Sequence, residues 1–137
     1  MISSSVEETE RIAREYAASL KAGTAIFFRG DLGAGKTAFV RGLAAGLGIP
    51  AECVSSPTYT FVKEYGGGRF PLAHFDMYRV SSEDDLYSIG FFDYLDGRTV
   101  LAIEWSENIA DIVDIPHITV SIEKDGQDKR IITVTEA

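Results

Sequence analysis

The chain contains two short runs in which every residue is apolar, at residues 25–28 and 100–103. Runs of this length are typical of strands that are buried on both faces, as in the parallel core of an α/β sheet. Two other segments, residues 6–20 and 35–47, carry apolar residues at helical spacing. The pattern therefore predicts two amphipathic helices that pack against a sheet with buried central strands.

Local signals set the expected ends of these helices. The first should begin after Ser4 or Ser5, with Glu7 or Glu8 completing a capping box, and end near Gly23. The second should run from residue 35 to residue 47. The residues expected on the buried faces are Val6, Ala13, Tyr16, Ala17 and Leu20 in the first helix and Phe39, Val40, Leu43, Ala44 and Leu47 in the second.

The remaining segments are typical of hairpins and a short helix. Residues 58–65 and 69–78 read as two strands joined by the triple glycine at 66–68, and residues 117–137 alternate as two strands around an Asp-Gly turn. Residues 81–97 carry a serine cap, an acidic first turn and glycine stops, which favour short helical turns.

The stretch between the first apolar strand and the second helix is GDLGAGKT, from Gly30 to Thr37. It fits the phosphate-binding pattern GxxxxGK[ST]. Glycines let backbone N–H groups turn toward phosphate oxygens, Lys36 supplies a positive charge, and the Thr37 hydroxyl can hold magnesium. A glycine-rich turn without a ligand is the alternative, which the flanking strand and helix disfavour. The expected fold is α/β, a P-loop NTPase-like mixed sheet with parallel core strands, flanking helices and antiparallel hairpins at the edge.

A nucleotide-hydrolysing site also needs a carboxylate at the carboxyl end of a neighbouring core strand. Glu104 follows the apolar run 100–103, and Asp76 follows the sequence LAHF. Either residue alone could be an ordinary surface carboxylate. Beside the phosphate loop, at least one of them is expected to be functional, and Glu104 is preferred as the metal ligand.

Composition and charge narrow the classes of protein further. The 137 residues are expected to form a single domain, 1–137, with a net charge of −8 that opposes unassisted binding to a nucleic acid. Cys53 is the only cysteine, so no disulfide or paired-cysteine metal site is expected. The absence of a signal peptide and of a membrane-spanning run favours a cytoplasmic protein.

Three further side chains are expected to have structural roles. His74 and His117 have no partners at metal-ligand spacing, so both are expected to be structural. Trp105 is the only tryptophan and is interpreted as a core residue, with an interface anchor as the alternative.

Five ordered motifs together resemble the bacterial TsaE (YjeE-like) family, whose members supply the ATPase component for threonylcarbamoyladenosine modification of tRNA. The motifs are GDLGAGKTAFVRG, SSPTYTFVKEY, HFDMYRV, DDLYSIGFFDYL and IEWSE, and the resemblance covers nearly the whole chain. It departs from many members at Ala38 and Ser106, neither of which removes a charge or a metal ligand.

The resemblance implies the cofactors ATP and Mg²⁺ and a set of site residues. Thr37 and Glu104 would bind magnesium, Asp76 would support hydrolysis, and residues 55–60 would form a switch-like loop near the γ-phosphate. The nucleotide base would lie near Glu8, Thr9 and Arg130. The residues implied to wrap the phosphates are Leu32, Gly33, Ala34, Gly35, Lys36 and Thr37.

The resemblance also implies two partner proteins, TsaD, which transfers the threonylcarbamoyl group to an adenosine beside the anticodon, and TsaB. Contact with tRNA would then be indirect, through the complex, and ATP hydrolysis would reset or regulate it. A nucleotide-binding assembly module without important turnover is the alternative. A GTPase is disfavoured because no NKxD-type segment is present, and a small-molecule kinase because the chain leaves little room for a lid.

Overall fold

The computed structural model describes residues 1–30, 34–55 and 61–136. The strands in this part of the chain are β1 (Ile2–Ser3), β2 (Ala25–Arg29), β3 (Val62–Tyr65), β4 (Leu72–Asp76), β5 (Val100–Glu104), β6 (Ile118–Asp125) and β7 (Lys129–Glu136). The α-helices are α1 (Val6–Ala17), α2 (Lys36–Gly46) and α3 (Glu83–Ser88).

The strands form one mixed sheet in the order β1-β7-β6-β2-β5-β4-β3. Neighbours from β6 to β4 are parallel, whereas β1–β7, β7–β6 and β4–β3 are antiparallel. The two continuously apolar runs became β2 and β5, which lie side by side in the parallel centre of the sheet. The predicted α/β fold with parallel core strands and antiparallel hairpins is confirmed.

Helices α1 and α2 pack against one face of the sheet and against each other. A Cβ atom at Gly42 would lie 2.2 Å from the Glu10 carbonyl oxygen, and one at Gly46 would lie 2.5 Å from the Arg14 carbonyl oxygen. Neither position can take a side chain without moving a helix backbone. The two glycines therefore set the close approach of α2 to α1, and with it the position of the α2 N-terminus.

The opposite face of the sheet is covered by the segment from α3 to the short helical turn at Phe91–Tyr94. Leu86 and Phe91 are fully buried there against Phe75 of β4 and Ile103 of β5. Alternation along each strand thus buries both faces, which explains why β2 and β5 are apolar at nearly every position.

Several details differ from the sequence predictions. Val6 is 56% exposed, because the buried stripe of α1 passes through Thr9, Ile12, Ala13 and Ala17. The helix ends at Ala17, well before Gly23.

The ends of the sheet also differ from expectation. The pattern did not predict β1, which adds to β7 and moves the C-terminal hairpin one place in from the sheet edge. Strand β3 begins at Val62, and residues 58–60 of its predicted range lie outside the described residues. No helix in the described ranges is both long enough and apolar enough to cross a membrane.

Candidate functional site

Both fixed glycines of the GxxxxGK[ST] pattern, Gly30 and Gly35, are described, and each position requires glycine for a different structural reason. Gly30 follows β2 with φ +147°, and a Cβ atom there would lie 2.4 Å from the Ile122 carbonyl oxygen of β6. Gly35 has φ +111°, which non-glycine residues rarely adopt. Both residues turn the chain from β2 into α2. The implied phosphate contacts at Leu32 and Gly33 lie outside the described residues.

Lys36 begins α2 and is only 6% exposed. Its Nζ donates a hydrogen bond to the Gly30 carbonyl oxygen at 2.9 Å and lies 5.4 Å from the centroid of the Trp105 ring. Thr37 follows in the same first turn and is half-buried. The first backbone N–H groups of a helix have no partner within the helix, so this turn presents N–H donors and a buried ammonium together.

Asp76 and Glu104 end the neighbouring parallel strands β4 and β5 and lie opposite each other in the register. Each residue is 8% exposed. Burial raises the pKa of Asp76 above its ordinary value, and the charge of Glu104 raises it further, whereas the hydrogen bond from Tyr78 N, His74 and Lys36 lower it. The two carboxylates thus lie side by side at the ends of β4 and β5, and Lys36 is close enough to lower the pKa of Asp76.

A histidine completes this group of buried polar side chains. His74 lies two residues before Asp76 on β4 and is fully buried. Its Nε2 is 2.5 Å from Glu104 Oε2. Its Nδ1 makes no hydrogen bond to any described residue. The interpretation of His74 as a structural residue therefore missed a direct contact with the preferred metal ligand.

The oxygen donors near Lys36 fit magnesium better than a metal that prefers nitrogen or sulfur ligands. Thr37 offers a hydroxyl, and Asp76 and Glu104 offer carboxylates, which are the hard oxygen ligands that Mg²⁺ takes. Within the described ranges, no cluster of three or more His, Cys, Asp and Glu side chains could enclose a metal by itself.

A cleft of about 130 Å³ opens beside the loop, between the start of α1 and the β6–β7 turn. Its walls include Thr9, which the resemblance implies near the nucleotide base, and Arg130, whose Nε donates to the Ala34 carbonyl oxygen at 2.9 Å. Glu8 does not line this cleft. Its carboxylate instead accepts a weak hydrogen bond from Ser4 N at 3.3 Å and faces Arg11.

The cleft wall contains further residues that sequence reasoning had not assigned to the site. They are Ser5, Val6, Ala38, Gln127 and Asp128. The exposure of Val6 is explained by this position, since its side chain faces the cleft rather than the sheet.

The segment implied as a switch-like loop is described only at its start. Ser55 N donates to the Tyr65 hydroxyl at 3.2 Å, and Lys63 Nζ donates to Ser55 Oγ. These contacts tie Ser55 to strand β3, whereas residues 56–60 lie outside the described ranges.

Trp105 has a more specific position than core packing. It follows Glu104 directly with φ +58°, a left-handed conformation that is uncommon for a bulky residue. Its ring packs edge-on against Tyr78 at 4.8 Å and faces the Lys36 ammonium. Backbone strain of this kind is concentrated at functional sites.

The position of one of these residues was accessible from sequence pattern alone. His74 and Asp76 are two residues apart on a strand, and such residues share a face. Because Asp76 was already a candidate, the same alternation places His74 beside it. Trp105, by contrast, required the backbone geometry after β5.

The fold and site together define a class: α/β proteins in which a GxxxxGK[ST] sequence leads from a central parallel strand into a helix beside strand-end carboxylates. Residues 3–132 match the family model described as "Threonylcarbamoyl adenosine biosynthesis protein TsaE". The chain belongs to the TsaE family.

Individual relatives support this assignment. The chain is 43% identical over 129 residues to the tRNA threonylcarbamoyladenosine biosynthesis protein TsaE of Bacillus subtilis, covering 94% of this chain and 80% of the relative. It is 38% identical to the Treponema pallidum protein of the same name, covering 97% of each. The crystal structure of YdiB from Bacillus subtilis matches 99% of this chain and 83% of that one, with a TM-score of 0.77 and 34% identity.

Proposed function

We propose that this protein binds ATP with magnesium and hydrolyses it slowly, as the ATPase component of tRNA threonylcarbamoyladenosine biosynthesis, together with TsaD and TsaB. Threonylcarbamoyladenosine biosynthesis is named both in the family description and in the names of the relatives. The observation that carries the proposed chemistry is the convergence of Lys36, Asp76 and Glu104 at one end of the parallel strands β2, β5 and β4.

Phosphate binding would rest on the first turn of α2. The free N–H groups at the helix start and the Lys36 ammonium are positive groups held in place by buried packing, so they need little reorganisation when phosphate oxygens arrive. The hydrogen bond of Lys36 to the Gly30 carbonyl keeps the ammonium beside the loop. These features support binding of the β- and γ-phosphates at Lys36.

Magnesium would be held by the Thr37 hydroxyl and the Glu104 carboxylate. When bound, the ion would neutralise negative charge on the phosphate oxygens during transfer. Asp76 is suited to orienting the attacking water and accepting its proton. Because burial raises the pKa of Asp76, its carboxylate is a stronger base than that of an exposed aspartate, although the nearby charge of Lys36 lowers this pKa in part.

The base of the nucleotide would occupy the cleft between α1 and the β6–β7 turn. Thr9 and Arg130 line this cleft directly beside Ala34 and Gly35. Glu8 would contribute only from outside the cleft wall.

We expect slow turnover by the isolated chain because the guanidinium of Arg130, which contacts the loop, is already engaged in hydrogen bonds. Arg130 contacts the loop, but its Nε donates to Ala34 and its Nη1 to the carbonyl oxygens of Gln127 and Lys129. In related phosphoryl transfer, an arginine supplied by a partner can stabilise the charge of the transition state. We therefore expect partner binding to accelerate hydrolysis.

The test is to measure ATP turnover by the purified chain alone and with TsaD and TsaB of the same organism. We expect slow, magnesium-dependent turnover that rises about 10³-fold or more with the partners, as an arginine supplied in trans commonly gives. The Lys36→Ala variant with the same partners is the control, since it assigns the turnover to this chain. Rapid turnover by the chain alone, unchanged by both partners, would contradict the proposal. Nucleotide binding with no turnover in either mixture would favour the assembly module.

A further inference from the structure

The contact between His74 of β4 and Glu104 of β5 is a buried polar pair beside Asp76, at the ends of two otherwise apolar strands. The His74 side chain is fully buried, and the Glu104 side chain is 11% exposed. Across the strand pair, His74 lies opposite Ala102, whose small side chain leaves room for the imidazole ring beside Glu104. A buried polar group is costly unless it is hydrogen-bonded, so the pair is expected to persist.

The chemistry of the two groups determines which of them donates the hydrogen bond. An ionised carboxylate can only accept hydrogen bonds, whereas an imidazole nitrogen that bears hydrogen can donate. With Glu104 ionised, as a metal ligand must be, Nε2 of His74 is the donor and Oε2 of Glu104 the acceptor, at 2.5 Å. The second carboxylate oxygen, Oε1, makes no hydrogen bond to a described residue.

We infer that His74 is a positioning residue for Glu104: its Nε2–H holds Oε2 and so fixes the orientation of the carboxylate that would bind magnesium. This inference rests on the proposed function, because it assigns Glu104 the metal-binding role. Hydrogen bonds from surrounding residues commonly orient the carboxylates that bind metals, and losing such a bond typically weakens metal affinity by about 10–100-fold. His74 itself does not touch nucleotide or metal in this arrangement.

The experiment compares two substitutions that separate the hydrogen bond from the packing. His74→Phe keeps a ring of similar size but removes the donor, whereas His74→Gln keeps an N–H donor near the position of Nε2. His117→Phe is the matched control, since His117 stacks on Phe27 and does not contact Glu104. The measured quantity is the magnesium concentration needed for half-maximal binding of a non-hydrolysable ATP analogue, read by calorimetry.

We expect His74→Phe to raise this magnesium concentration about 10–100-fold while leaving analogue affinity in EDTA unchanged. His74→Gln should restore most of the loss, and His117→Phe should behave as wild type. In a Glu104→Gln background, His74→Phe should add nothing, because the residue through which it acts is already altered. An unchanged magnesium requirement in a folded His74→Phe variant would overturn the inference.

A measurement on the wild-type chain keeps the inference testable if His74→Phe does not fold. The chain has only two histidines, so a long-range ¹H–¹⁵N spectrum can assign the protonation of each ring nitrogen. Hydrogen on Nε2 of His74 is expected, and an unprotonated Nε2 would overturn the inference.

The wild-type calorimetry also separates the two proposals. If the wild-type chain binds the analogue with no dependence on magnesium, the proposed function fails. If wild type shows that dependence and His74→Phe shares it unchanged, only the role of His74 fails.

Discussion

At the residue scale, the site depends on charged side chains that are buried together. Lys36, Asp76 and Glu104 are each at most 8% exposed, and each would be costly to bury alone. The ammonium lowers the pKa of Asp76, while burial and the charge of Glu104 raise it. Such a cluster adds little to stability, and under the proposed function it holds charges in place for phosphates and magnesium.

Lys36→Ala tests the central charge of this group. We expect it to reduce ATP affinity or turnover by about 100-fold or more, as removal of one preorganised donor commonly does, with the circular dichroism spectrum unchanged. Lys21→Ala is the matched control, because Lys21 is exposed and precedes β2, at the opposite end of that strand from the loop. Unchanged affinity and hydrolysis in Lys36→Ala would remove the phosphate-loop assignment.

At this scale, the sequence could predict which carboxylates would meet but not how they are supported. Asp76 and Glu104 were recognisable because each follows an apolar run that ends at the same edge of a parallel sheet. The contact of His74 with Glu104 depends on the register of β4 against β5, which no local pattern contains. The left-handed backbone at Trp105 is likewise a product of tertiary packing.

At the element scale, the position of the α2 N-terminus is set by how closely α2 packs on α1. Gly42 and Gly46 face the backbone of α1 and allow this approach. Both glycines weaken the helix by about 1 kcal/mol each relative to alanine, so their presence is explained by packing rather than by helix propensity.

Gly42→Ala should therefore destabilise the protein despite the better helix propensity of alanine. The added Cβ would lie 2.2 Å from the Glu10 carbonyl oxygen, so one helix must shift. We expect a loss of about 1–3 kcal/mol in the free energy of unfolding, measured by urea denaturation. Gly66→Ala is the control, since a Cβ there meets no atom within 4 Å. A Gly42→Ala protein as stable as the control would refute the close-packing account.

The boundaries of elements were less predictable than their existence. Helix α1 retains its serine cap, with Glu8 N donating to Ser5 Oγ at 3.0 Å, but ends several residues before the predicted glycine stop. Strand β1 could not be predicted, because it is two residues long and exists through pairing with β7, over a hundred residues away along the chain. Its presence depends on tertiary pairing and not on local pattern.

At the scale of the whole molecule, the mixed sheet brings three separate parts of the chain to one edge. Strands β2, β5 and β4 are adjacent and parallel, so their carboxyl ends lie together. The phosphate loop follows β2 there, and Glu104 and Asp76 are the last residues of β5 and β4. The sequence predicted this convergence because buried apolar strands and their following residues are local features. The strand order itself depends on long-range pairing.

The overall charge leads to a prediction about tRNA. With a formal net charge of −8, the chain as a whole repels a phosphate backbone. We expect the isolated protein to bind fluorescently labelled tRNA weakly at physiological salt, as measured by anisotropy. A mixture with TsaD and TsaB serves as the comparison. Tight binding of tRNA by the isolated chain would contradict an indirect role.

The proposed nucleotide site is best tested by calorimetric titration of ATP and of GTP into the wild-type chain, each with and without magnesium. We expect ATP to bind more tightly than GTP, because no guanine-reading NKxD segment is present, and we expect removal of magnesium to weaken ATP binding. Failure to bind ATP in the presence of magnesium, or equal binding of both nucleotides regardless of magnesium, would rule out this site as an ATP–magnesium site.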